Sequence, residues 1–144
     1  MELNFTLWCE PPKHTAQGSS MILKNFKTGK FFIGKKSNSN ATQAKNELMW
    51  LLMPHRPQKP LEGALKCEIR WVYSWRKNET KKNKEKGEMW CETRSDCDNL
   101  CKMFNDILTR LCFWKDDAQV AVLHFEKLYS DTPRIEVKIK ELEE

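Results

Sequence analysis

The chain has 144 residues, 40% apolar and 31% charged, with a formal net charge of +5. That supports one domain with a hydrophobic core and is too short for two of ordinary size, so a single domain over residues 1–144 is expected. No apolar run approaches the ~20 residues that span a bilayer, and Met1 to Trp8 lacks the basic and long apolar regions of a signal peptide, so a cytoplasmic protein without a membrane segment is expected.

Leu3 to Trp8 alternates and predicts a strand, ended by Pro11-Pro12 and a polar loop from Lys13. Met21–Leu23 and Lys30–Ile33 predict short strands around a turn at Thr28-Gly29. Ser37 to Asn40 offers helix caps, and Ala44, Leu48, Leu51 and Leu52 then recur at helical spacing up to Pro54. Leu65, Cys67, Ile69, Trp71 and Tyr73 alternate against Lys66, Glu68 and Arg70, the clearest strand in the chain. Arg76 to Gly87 reads as a charged loop, with Glu88 to Arg94 returning as the hairpin partner of that strand. Leu100, Met103, Phe104, Ile107, Leu108, Leu111 and Cys112 form one apolar stripe and predict the strongest helix, over Asn99 to Cys112. Gln119 to Tyr129 and Arg134 to Ile139 predict two further strands, and the last four residues are expected to fray. The fold class is α+β, with a mixed, mostly antiparallel sheet and two main helices.

Charge is unevenly spread. Seven lysines and no acid lie between Pro11 and Asn46, whereas thirteen acids face eight bases from Glu88 onward. A one-sided basic field suggests a polyanionic partner, nucleic acid before membrane, although a lysine-rich solubilising surface has the same composition. Lys13, His14, Lys24, Lys27, Lys30, Lys35, Lys36, Arg76, Lys77 and Arg94 are the candidate phosphate contacts. Arg94 would equally serve as a partner for Asp96. Six cysteines at irregular spacing without a CxxC pair argue for reduced thiols rather than a zinc site. Among six tryptophans, Trp71 and Trp114 fall within apolar patterns, and Trp75 and Trp90 are the better candidates for stacking on bases.

Asp96 and Asp98 stand two apart before the strong helix, where an extended backbone would point both carboxylates one way. Asp116 and Asp117 follow beyond the helix. Two acids on one side suit Mg²⁺, which takes oxygen ligands and keeps several waters. Either pair also suits helix or turn capping, and Lys102 suits an i,i+4 partnership with Asp106.

The segments Asp96-Cys-Asp-Asn-Leu-Cys-Lys102, Asp106-Ile-Leu108 and Phe113-Trp-Lys-Asp-Asp-Ala-Gln-Val120 closely resemble the RusA family of Holliday junction resolvases, with its D-x-D-N-x-x-K and W-x-D-D-x-Q-V pattern. The resemblance is specific over the last third and looser before it. It implies a homodimeric endonuclease dependent on Mg²⁺, or Mn²⁺ in its place, that nicks opposed strands of a four-way DNA junction in recombination and repair. By position, Asp96, Asp98 and Asp117 are then the catalytic metal ligands, Asp116 a nearby acid of the metal site with a less defined role, and Lys102 the essential basic side chain. Two alternatives stand beside it: an endonuclease for flaps, forks or other branched DNA, and a non-catalytic DNA-binding module of the same fold.

Overall fold

The alternation of Leu65 to Tyr73 builds the centre of the molecule. A computed structural model describes residues 1–13, 20–24, 27–35 and 39–143. In chain order these form β1 (Glu2–Leu7), β2 (Ser20–Lys24), β3 (Phe31–Lys35), α1 (Ser39–Leu52), a 3-10 turn (Met53–His55), β4 (Leu65–Ser74), α2 (Lys81–Lys84), β5 (Glu88–Trp90), α3 (Cys97–Arg110), a second 3-10 turn (Asp117–Gln119), β6 (Val120–Ser130) and β7 (Arg134–Glu141). The main sheet runs β1-β7-β4-β6-β5. β4 and β6 are parallel, and every other pair is antiparallel, including the separate β2-β3 hairpin. The expected α+β fold with a mixed, mostly antiparallel sheet and two main helices is what the chain adopts.

Leu65, Cys67, Ile69, Trp71 and Tyr73 are fully buried, as strand alternation demands of the helix-facing side. They pack with Ile135, Val137 and Ile139 of β7, Leu48 and Leu52 of α1, and Leu100, Phe104, Ile107 and Leu108 of α3. Phe104 meets the Trp71 ring edge-on at 5.6 Å, a favoured aromatic geometry. The other side of the sheet carries charge. Arg70 reaches Glu88 at 2.7 Å, Glu136 at 2.9 Å and Glu126 at 3.0 Å, while Arg134 joins Glu88 at 2.9 Å. The hydrogen bond from Arg70 is the main cause that holds the Glu88 carboxyl below its ordinary range.

Four expectations change. Glu88 to Arg94 does not return as the hairpin partner of β4, because β6 and β7 occupy both edges of β4; β5 lies on β6 instead. The charged loop at 76–87 contains α2, capped where Thr80 Oγ1 accepts from Asn83 N at 3.2 Å. Glu141 and Leu142 are held, their amides donating to Met1 and Ala64 carbonyls at 3.1 and 2.8 Å. Finally, α3 begins two residues earlier than predicted and ends before Cys112, which is exposed with φ 63. There Phe113 N donates to Leu108 O and Cys112 N to Thr109 O, the paired bonds of a Schellman stop. All six cysteines are free thiols, as expected, and burial pushes the Cys67 thiol up to about 12.

Candidate active site

The early start of α3 changes how its acids are presented. Asp96 is the N-cap residue and Asp98 already lies in the first helical turn, so the two do not share the face of an extended strand. Helical spacing instead puts Asp98, Lys102 and Asp106 in one polar row beside the apolar stripe. The Asp96 carboxylate makes no capping hydrogen bond, and all three of these aspartates are exposed.

The chain then reverses through the Schellman stop and reaches β6 by a fixed turn. Asp116 caps that turn by accepting from Ala118 N at 2.9 Å. Gln119 Oε1 accepts from Lys115 N at 2.9 Å and Asp116 N at 3.1 Å, and its Nε2 donates to the Leu61 and Gly63 carbonyls at 3.1 Å each. Trp114 is fully buried, with Nε1 donating to Thr109 Oγ1 at 2.7 Å. The aromatic and amide positions of the W-x-D-D-x-Q-V pattern thus build the turn that carries its second aspartate.

Asp117 enters a cleft of about 300 Å³ that Asp98, Cys101, Lys102, Asn105 and Asp106 line from α3, with Val120 and Leu123 opposite. Asp98 and Asp117, from separate segments, therefore share one cavity with Lys102. Asp96 is outside that lining, and Asp116 faces a different cavity with Leu61, Gly63 and Ala118. Asp98, Lys102, Asp106 and Asp117 form no ion pair with any described residue. The i,i+4 pairing of Lys102 with Asp106 is thus not made. Asp106, Asn105, Gln119 and Lys127 were not singled out as site residues by the sequence; the polar row at i+4 from Lys102 is the signal that pointed to Asp106.

Three carboxylates face a single ammonium, and the buried Asn105 Oδ1 on the same wall has no hydrogen-bond partner. Oxygen donors with spare lone pairs suit Mg²⁺, which needs only one or two carboxylates beside its waters. Among the described residues no three acidic, histidine or cysteine side chains already converge at metal-holding spacing. The fit is therefore to a two-carboxylate site at Asp98 and Asp117, and not to a closed cage.

The basic residues divide. Ser95 Oγ donates to Lys13 O at 2.7 Å and Tyr73 OH to Pro12 O at 3.1 Å, so the lysine-rich segment departs from beside Asp96. Lys13, Lys27, Lys30 and Lys77 are exposed. Lys24 and Lys35 fall on β2 and β3, and His14 and Lys36 lie outside the described residues. Arg76 pairs with Glu79 at 2.9 Å and lies over the Tyr129 ring at 5.1 Å. Arg94 lies 5.3 Å over the Tyr73 ring and does not pair with Asp96. Trp71 and Trp114 are core; Trp75 donates to Asp131 Oδ1 at 2.7 Å and stacks on Tyr129, while Trp90 is 67% exposed.

Asp98, Asp106 and Asp117 thus line one cleft around Lys102, which has no ion-pair partner among the described residues. The sequence model of the endodeoxyribonuclease RusA family matches residues 14–140. The chain belongs to that family. It is 30% identical over 150 residues to the uncharacterized protein YqaN of Bacillus subtilis (strain 168), covering 97% of this chain and 96% of that one. It is also 31% identical over 93 residues to a crossover junction endodeoxyribonuclease rusA of Lactococcus phage r1t, covering 63% of this chain and 66% of that one. Among the described residues no helix is long and apolar enough to cross a membrane.

Proposed function

We propose that the chain is a divalent-metal-dependent endonuclease that resolves four-way DNA junctions by paired nicks, in recombination and repair, as a cytoplasmic homodimer. One observation carries the reading: Asp98, Lys102 and Asp117 line one cleft without ion-pair partners among the described residues, whereas neighbouring Asp116 is taken up by a cap. Family membership and the name of the phage relative support the substrate.

Asp98 and Asp117 would hold Mg²⁺, or Mn²⁺ in its place, with Asp96 beside them. The cation supplies Lewis acidity and a more acidic water for attack on phosphorus. Lys102 donates to a non-bridging oxygen and stabilises charge that grows there in the transition state. Hydrolysis then leaves a 5′-phosphate and a 3′-hydroxyl. Lys13, Lys27, Lys30 and Arg94 contribute phosphate contacts, which add affinity and salt dependence more than sequence selection. A two-fold dimer matches the approximate two-fold symmetry of a junction and the need for two nicks.

The test is a panel of four-way, flap, fork and linear substrates with Mg²⁺, Mn²⁺ or EDTA. Paired, metal-dependent nicks in the four-way substrate are expected. Flap cutting without paired nicks, or binding without cleavage of any substrate, would refute the reading.

A further inference from the structure

We infer that Lys127 is a positioning residue for the acidic start of α3, an inference that rests on the functional reading above. β6 pairs in register with β4 so that Lys127 lies opposite Trp71, on the helix-facing side of the sheet. Its neighbours on that side are the half-buried Phe125 and the buried Tyr129. A cation between Phe125 and Tyr129 breaks the apolar row on this side of β6, and such breaks cluster at functional sites. The ammonium here is half-buried and finds two specific partners: its Nζ donates to Thr93 O and Ser95 O at 2.8 Å each.

Those two carbonyls flank Arg94, whose φ of 77 is in the left-handed region that side chains avoid. Further bonds converge on the same segment. Cys91 N donates to Lys127 O at 3.0 Å, Cys91 Sγ donates to Thr93 O at 3.2 Å, and the Thr93 and Tyr129 hydroxyls hydrogen-bond to each other at 2.7 Å. The connection from β5 to α3 is thereby held in one unusual conformation, and it ends at Asp96 and Asp98. An ammonium has three donors, and the two carbonyls take two of them. Lys127 acts through the backbone of residues 93–95 on where the α3 acids stand. It needs no contact with the reacting phosphate.

The test compares Lys127→Met and Lys127→Arg with the wild-type chain, using Lys138→Met on the opposite face of the sheet as a control. Loss of a group that orients metal ligands typically costs 10–100-fold in metal affinity or activity, so Lys127→Met is expected to weaken Mn²⁺ binding, followed by its electron paramagnetic resonance signal, and to slow single-turnover junction cleavage by about that factor. Junction affinity measured in EDTA stays within about 3-fold, because the phosphate-contacting lysines are untouched. Lys127→Arg keeps two donors and recovers most of the loss; Lys138→Met matches wild type. If Lys127→Met does not fold, Lys127→Gln replaces it, and the order wild type, Arg, Gln is expected. Any other order, or a Lys127→Met chain that binds Mn²⁺ and cuts like wild type, overturns the inference. A wild-type chain that cuts no junction defeats the functional reading but leaves the Mn²⁺ titration, where an unchanged affinity in Lys127→Met overturns the inference on its own.

Discussion

Gln119→Ala tests whether the turn before β6 is a structural clamp that also sets the catalytic geometry. The side chain makes four hydrogen bonds, two accepted from the Lys115 and Asp116 amides and two donated to the Leu61 and Gly63 carbonyls, all between 2.9 and 3.1 Å. Each is worth about 0.5–1.5 kcal/mol net. Lys115 and Asp116 are exposed and Gln119 is half-buried, so water replaces part of what is lost. The four bonds also share one side chain and do not add fully. A loss of roughly 2–3 kcal/mol is expected, which for a domain of this size lowers the melting temperature by roughly 5–10 °C. Urea unfolding should show a lower midpoint with an unchanged slope. At a temperature where the variant is fully folded, junction cleavage should still fall by about tenfold or more, because Asp117 loses its fixed approach to the cleft. Gln119→Glu should be worse than Ala near neutral pH, since it sets a carboxylate against two carbonyl oxygens. A Gln119→Ala chain within about 0.5 kcal/mol of wild type, or one destabilised yet cutting at the full rate when folded, would refute the clamp.

Other expectations follow from the same geometry. Asp117→Asn should reduce cleavage at least a thousandfold while junction binding persists, whereas Asp116→Asn, which can still cap the turn, should cut within about threefold of wild type; the reverse order in a single-turnover assay would exchange their roles. Lys102→Met should slow cleavage by about 10²–10³-fold with little change in binding, and a variant changed only in affinity would make Lys102 a simple phosphate contact. The Arg70 cluster predicts a pH effect on stability. The Glu88 and Glu126 carboxyls are held below their ordinary range, Glu88 chiefly by the hydrogen bond from Arg70 and Glu126 chiefly by that from His124. Their stabilisation is therefore complete above the unfolded carboxyl pKa of about 4.3 and is lost as pH falls through the lower folded values. Urea midpoints should drop on acidification below about pH 4.5, and Arg70→Met should be less stable at pH 7 with a shallower drop.

Much of this chain was legible from local pattern. Period-two alternation located β4, β6 and β7, because half-buried strands must sort side chains by face. A period near 3.6 located α3 and set Lys102 off its buried stripe. The order and spacing of acids, lysine, tryptophan and glutamine carried the resemblance to the family, because those residues lie close together in sequence along one helix and one turn. Local pattern did not decide how the pieces meet. The parallel pairing of β4 with β6 joins Arg70 to Glu126 across 56 positions of sequence and displaces β5 to the edge, and no short-range periodicity encodes such a contact. The aspartates were chemically equivalent as letters. Backbone geometry made Asp116 a cap and brought Asp117 into the cleft of Asp98. The β4–β6 register sets Lys127 on the helix-facing side of the sheet, where an ammonium must find acceptors and finds them in the segment that leads to Asp96.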